Sequence, residues 1–196
     1  LELFFDTETS GFRKAALGPN DPQQAWIVQL GAILSTSDQI IAEVNFLIKP
    51  EGRSINPGAQ KIHGLSTAIA DKGLYEDNVA RIFALMLDNA DILVCHNYKF
   101  DIYLVKDLLE RNSMMSEALT LMAKPHYCTM LNSTQLCKLP SRYKGKYKWP
   151  KLTELHQFLF GCEFEGAHDA MADVRATRSC YYKLMDQEEV KDASRI

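Results

Sequence analysis

Asp6, Glu8, Asp101, Asp173 and His168 set the chemistry open to this chain. Asp6 and Glu8 stand two apart at the end of an apolar run, Leu1–Phe5. Along a strand, residues i and i+2 point to one face, so both carboxylates can reach one cation. Two adjacent acids resist ionising together unless a cation lies between them. A strand end turning into solvent would carry the same pair with no such role. Asp101 lies in His96-Asn97-Tyr98-Lys99-Phe100-Asp101, just past the buried run Ile92–Cys95. That is the sheet edge where α/β proteins place ligands, although an acid in a first helical turn also serves the helix dipole. Asp169 has the character of a helix cap. Asp173 lies one turn further in, flanked by the small Ala170, Ala172 and Ala176, and His168 precedes the helix and can fold back toward the same centre.

The elements that must position these groups follow from pattern. Strand-like runs cover Leu1–Phe5, Trp26–Leu34 and Ile40–Ile48, with Val44, Phe46 and Ile48 sharing a face. Pro57 stands at a first helical position in the mixed stretch Asn56–Leu65. Spacing near 3.6 predicts a helix over Asn78–Leu87 and another from Tyr98, with Ile102, Val105 and Leu109 inward and Phe100 in the core beside them. Ile92–Cys95 and Tyr127–Thr129 read as short strands. Further helices are expected over Ser116–Met122, Met130–Cys137 and Leu152–Phe160 (ended by Gly161), and from Asp169 to Gln187. Strands first, then strands alternating with helices, make an α/β domain with a mixed sheet, one domain over residues 1–196.

Composition bounds the rest. A hydrophobic fraction of 46% and a charged fraction of 24% are those of a globular protein. No apolar run approaches the roughly 18 residues of a membrane span. The abrupt apolar start suggests that a very short leader precedes residue 1, and an intracellular, cytoplasmic setting is expected. Five cysteines without CxxC spacing read as buried free thiols rather than a zinc knuckle or disulfide framework. The net charge of −3 attracts no polyanion by itself.

Three elements occur in order: Asp6-Thr-Glu-Thr-Ser-Gly11, His96-Asn-x-x-Phe-Asp101 and His168-Asp-Ala-x-x-Asp173. They resemble the three motifs of the DEDD-type, DnaQ-like 3′→5′ exonucleases, a family that includes proofreading subunits. Lys61-Ile-His-Gly-Leu65 and the Leu152–Gly161 helix add to the likeness, and a histidine five residues before the last acid matches the histidine subclass. Ser10, where threonine is frequent, and a long Arg13–Gln24 loop depart from the pattern. The resemblance implies a ribonuclease H-like, mixed five-stranded sheet flanked by helices. It also implies two Mg²⁺ or Mn²⁺ ions held by Asp6, Glu8, Asp101 and Asp173, with Asp6 bridging. Two such ions would turn the charge of −3 into +1. Oxygen ligands suit hard cations, and an imidazole, ordinarily titrating near pH 6.5, suits His168 as general base. Thr7, Thr9, Phe12, Leu65 and Asn97 would stand near the terminal nucleotide, Phe12 and Leu65 as wedges. His63 is a further candidate for contact with substrate.

Lys138–Lys151 carries Lys144, Lys146 and Lys148 among six cations and no acid, with Tyr143, Tyr147 and Trp149 interleaved. Cations can follow phosphates and rings can stack on bases, at about 1–3 kcal/mol per base. A solvated loop with its rings on the core is the plain alternative. The expected substrate is nucleic acid with a free 3′ end, single-stranded DNA ahead of RNA. RNA trimming, and a silent accessory subunit bound to a polymerase, remain as rivals.

Overall fold

The computed structural model describes residues 1–193, with side chains as far as residue 187. Strands β1 (Glu2–Thr9), β2 (Ile27–Ser35) and β3 (Ile40–Leu47) form an antiparallel meander. Strands β4 (Ile92–Cys95) and β5 (His126–Cys128) add in parallel, giving the order β3-β2-β1-β4-β5. Helices α1 (Pro57–His63), α2 (Thr67–Ala70) and α3 (Glu76–Asn89) lead from β3 to β4. Helices α4 (Tyr98–Arg111) and α5 (Met115–Ala123) lead from β4 to β5, and α6 (Thr129–Cys137), α7 (Leu152–Phe160) and α8 (Ala170–Ala193) follow. This is the mixed five-stranded sheet, flanked by helices, that the sequence implies.

Period two sorts β1 between two cores. Leu3 and Phe5 pack into the larger one with Phe83 of α3 and Ile102 and Val105 of α4. Phe4 packs the other way, with Ile33 and Val94, onto Met171, Val174 and Tyr181 of α8. Each buried phenylalanine is worth about 1.5–3 kcal/mol of transfer free energy. Inner strand β2 is buried along its whole length, which is why it reads as a nearly continuous apolar run. Edge strand β3 alternates instead, with Ala42, Val44 and Phe46 resting on the core.

Several expectations need correction. β1 continues to Thr9 rather than stopping at Phe5, because Asp6 and Glu8 pair with Gly31 and Gln29 of β2. Polar side chains there hide a strand that its ladder maintains. The one-turn α2 has no counterpart among the expected helices; the Ser66 hydroxyl caps it by accepting from Ile69 N at 3.2 Å. All five cysteines are free, but Cys162 is exposed and Cys137 only partly covered, so burial holds for Cys95, Cys128 and Cys180. Among the described residues no helix is long and apolar enough to cross a membrane.

The Arg13–Gln24 loop is tightly built. Arg13 grips the buried Asp107 through two bonds of 2.7 and 3.0 Å. The Gln24 amide accepts from Lys14 N and Ala25 N and donates to Lys14 O and Leu17 O. Arg111 ties Glu76 to the loop by also donating to Pro19 O.

Candidate active site

Because Phe4 faces α8, Asp6 and Glu8, two and four residues on, face the start of α8 as well. That helix descends close to the sheet at Gly31, the partner of Asp6. A Cβ at Gly31 would lie 2.8 Å from the Ala170 carbonyl, so glycine lets the first turn of α8 reach the carboxylates. Gln29, opposite Glu8, fixes that turn: its Nε2 donates to Asp169 Oδ2 at 2.8 Å and its Oε1 accepts from Ala170 N at 3.2 Å. Asp169 caps the helix by accepting from Ala172 N at 3.1 Å, the role expected of it.

The chain enters α8 through Gly166, at φ 80°, where a Cβ would press on Ala172, and through His168, itself left-handed at φ 71°. His168 N donates to Asp173 Oδ2 at 3.2 Å, folding the histidine back over the acid. Ligand atoms of Glu8, His168 and Asp173 lie within 4.8 Å of one another.

Asp101 arrives from the opposite side of β1. Asn97, left-handed at φ 66°, turns the chain from β4 into α4, and Asp101 falls in the first turn. Thr7, on the larger-core face of β1, donates to Asp101 Oδ1 from its amide at 3.0 Å and its hydroxyl at 2.7 Å. The threonine between the two acids therefore orients a third.

Burial and mutual repulsion raise every acid of the cluster. Burial first, then Asp101, Asp173, Glu8 and Asp169, hold the Asp6 carboxyl well above its usual range. Burial and repulsion from Asp173 and Asp101 push Glu8 up to about 8. Burial raises Asp101 to about 7 against its bonds from Thr7, and raises Asp173 to about 6 against its bond from His168. Glu8 is only 8% exposed, and no hydrogen bond or ion pair to its carboxylate is present among the described residues. Divalent cations fit this all-oxygen set, because they supply the charge that these acids lack.

The cluster opens into a cleft of about 700 Å³ lined by Asp6, Asp173, His168, Asn97, Phe12 and Trp149. Phe12 also borders a smaller cleft of about 330 Å³, with Thr7, Glu8, Thr9, His63 and Phe100. Phe12 is 84% exposed and meets Phe100 edge to face at 6.4 Å. Phe100, expected as core, is half-buried and serves this cleft too. The Thr9 hydroxyl donates to Gly11 O. Both nitrogens of His63 are engaged: Nδ1 accepts from Leu65 N at 3.0 Å, so Nε2–H donates to Thr9 O at 3.2 Å. Leu65 packs on the main core.

The basic segment folds back on itself through a bridge between Pro140 and Tyr147. Lys144, Lys146 and Lys148 are exposed, and Lys148 pairs with Glu154. Trp149 lines both the cavity of this segment and the acidic cleft. His96 anchors the segment, donating from Nε2 to Pro150 O at 3.0 Å while Nδ1 meets Thr129 Oγ1 at 2.9 Å. Burial holds its pKa down at about 4, so it is neutral. The sequence alone assigns no role to His96 or Gln29. A polar residue inside the apolar Ile27–Leu34 run is the one signal it offers for Gln29.

The fold recurs in solved structures. Escherichia coli exonuclease I in complex with a dT13 oligonucleotide matches with a TM-score of 0.75 at 23% identity, over 98% of this chain and 42% of that one. Its complex with a dA16 oligonucleotide matches with a TM-score of 0.74 at 22% identity, over 97% and 41%. DNA polymerase III subunit epsilon of Buchnera aphidicola is 35% identical over 111 residues, 55% of this chain and 44% of the relative. The chain thus spans less than half the length of each of these relatives. The RNase T family model, described as exonuclease, matches residues 3–181, and the chain, with its three DnaQ-like motifs gathered at one site, belongs to that exonuclease family.

Proposed function

We propose that this chain is a metal-dependent 3′→5′ exonuclease that removes nucleoside 5′-monophosphates from single-stranded DNA, with residues 1–196 working as one domain. The observation that carries this reading is the convergence of Asp6, Glu8, Asp101 and Asp173 beside His168, with carboxyl pKa values raised by burial and mutual repulsion. Two Mg²⁺ or Mn²⁺ ions would be held by these acids, Glu8 and Asp173 serving one, Asp101 the other and Asp6 both. Bound there, such ions supply Lewis acidity for attack by water and neutralise charge on the leaving oxygen.

The chain's own groups do the remainder. His168 takes the proton from the attacking water as the bond to the 3′ oxygen breaks. Phe12 and Phe100 form an apolar wall for the terminal base, and Asn97 borders its sugar and phosphate. Thr7 holds Asp101, while Thr9 and His63 line the smaller cleft beneath that nucleotide and Leu65 backs it by donating from its amide to His63 Nδ1. Trp149, Lys144, Lys146 and Lys148 carry the strand upstream. Preference for single-stranded DNA is supported by the oligonucleotides bound to the Escherichia coli relative, and a polymerase partner by the Buchnera subunit. Five free cysteines support a reducing, cytoplasmic setting.

The test is a 5′-labelled oligonucleotide incubated with the protein and Mg²⁺, with and without EDTA. A chelator-sensitive ladder shortening from the 3′ end is expected, faster on DNA than on RNA of the same sequence. An intact strand under both Mg²⁺ and Mn²⁺ would make the chain a silent accessory.

A further inference from the structure

Phe12 is also a wall of a third cleft, of about 620 Å³, which none of the acidic cluster's residues lines. The Arg13–Gln24 loop and residues 53–57 form its other walls, and Arg13, Lys14 and Arg53 are among them. Among the described residues no acid lines it. One exposed ring therefore borders both an acidic cleft and a basic one. The two guanidinium groups are fixed. Arg13 is gripped by the buried Asp107 and lies 5.4 Å from the centroid of the Tyr103 ring. Arg53 donates to Glu76 at 3.1 Å and to Pro50 O at 3.0 Å, over the Trp26 ring at 4.7 Å. Glu76 also binds Arg111, so one buried carboxylate answers two guanidinium groups, with the exposed Glu51 at 3.9 Å from Arg53. Lys14 is exposed, and its ammonium makes one long bond of 3.4 Å to Gln23 Oε1. Guanidinium groups held in place by buried acids, beside a free ammonium, suit a phosphate.

We infer that this cleft binds a backbone phosphate of the uncleaved strand at the end of a duplex, with Phe12 dividing that strand from the one whose 3′ end enters the acidic cleft. The inference rests on the proposed placement of the 3′ nucleotide beside Asp6 and Glu8, and it specifies the substrate as a 3′ end parted from its complement. The cleaved strand is assigned to the other two clefts and to Lys144, Lys146, Lys148 and Trp149, none of which lines this one. A phosphate held here therefore belongs to another stretch of nucleic acid. Apolar side chains part stacked bases by wedging between them, and an exposed ring where the clefts meet is placed to do so.

The test compares one fluorescent strand, bare and annealed to a complement mismatched at the positions facing its 3′ end. Binding is read by anisotropy in Ca²⁺. The wild type should bind the annealed form several-fold more tightly. Lys14→Ala should weaken that form about fivefold in about 0.1 M salt, the weight of one phosphate contact, and leave the bare strand unchanged. Lys14→Arg should restore the difference. The fold should not suffer, because it is the Lys14 backbone that binds Gln24, and melting curves check this. Equal losses on both forms, no loss on either, or no gain from the complement in the wild type would overturn the second-strand site. Shortening is assayed separately in Mg²⁺. If Lys14→Ala loses only the annealed form but the wild type shortens neither, the cleft stands and the nuclease reading falls.

Discussion

Gln29 reaches from the buried middle of β2 to the first turn of α8, where its Nε2 lies 2.8 Å from Asp169 Oδ2. The same amide accepts from Ala170 N, so one side chain sets both the height and the rotation of the turn that presents His168 and Asp173. Gln29→Leu keeps the volume and removes both bonds, along with a third from Nε2 to Asn45 Oδ1. Orphaning the Ala170 amide, and leaving the Asp169 carboxylate with only its bond from Ala172 N, should cost about 1–3 kcal/mol. With α8 free to turn, kcat should fall tenfold or more. Urea melts alongside kcat check this, and unchanged kcat in a destabilised variant would mean that the close approach at Gly31 alone aligns the helix.

Removing an acid should separate activity from stability. Asp6→Asn or Asp173→Asn should abolish hydrolysis, since each acid is assigned to hold metal. Yet Asp6→Asn should melt higher than the wild type in EDTA, because it removes a carboxyl disfavoured first by burial and then by repulsion from Asp101, Asp173 and Glu8. A lower melting temperature would show that Asp6 supports the fold rather than straining it. His168→Ala, on the exposed entry to α8, should melt like the wild type and lose about 10²–10⁴ in kcat.

The raised carboxyl groups also fix the sign of a pH effect. Glu8 rises to about 8, Asp101 to about 7 and Asp173 to about 6, while unfolded carboxyls titrate near their ordinary values. Between about pH 4 and 8 the folded chain binds more protons than the unfolded chain, so stability falls as pH rises. The contribution is fully present below the unfolded values and gone once pH has passed the folded ones. Burial pushes Glu76 up, but Arg111 and then Arg53 outweigh it and hold it below its ordinary 4.5, so its opposite effect lies outside this window. Two imidazoles lowered by burial, His96 to about 4 and His63 to below its ordinary value, do oppose the trend inside it, but the four raised acids, Asp6 among them, outnumber them. In EDTA the melting temperature should drop by roughly 4–8 °C from pH 5 to pH 8.5, equivalent to about 2 kcal/mol. Mn²⁺ should restore more at pH 8.5 than at pH 5. A flat profile in EDTA would contradict the crowding of these acids.

Which parts of this arrangement are legible in the sequence depends on whether the signal is local. Asp6, Glu8, Asp101 and Asp173 can be read because strand period and helix entry are local, and the order of the three motifs joins them. The end of β1 escapes because its last residues are polar, and only the β2 ladder holds them extended. Gln29, Gly31 and His96 act across 141, 139 and 54 positions, on Ala170, Ala170 and Pro150, and no local pattern announces such pairings. His63 can be recognised as part of a motif, yet its engagement with Thr9 and Leu65 emerges only in three dimensions.

Trp149 stands where the basic segment meets the acidic cleft, and His96 holds the adjoining Pro150 in place. This makes stacking and charge separable. Trp149→Ala should weaken a short oligonucleotide by about 1–3 kcal/mol, with little effect on the salt slope, because a ring carries no charge. Lys144→Ala with Lys146→Ala should flatten the slope of log affinity against log salt by about 0.7 for each phosphate of a single strand left without its lysine. Lys148→Ala should change that slope less, since Lys148 is already paired with Glu154. Binding is best measured by fluorescence anisotropy in Ca²⁺, at several salt concentrations. Equal slopes in the double variant and the wild type would take the segment off the path of the strand, and Trp149 would then act at the cleft alone.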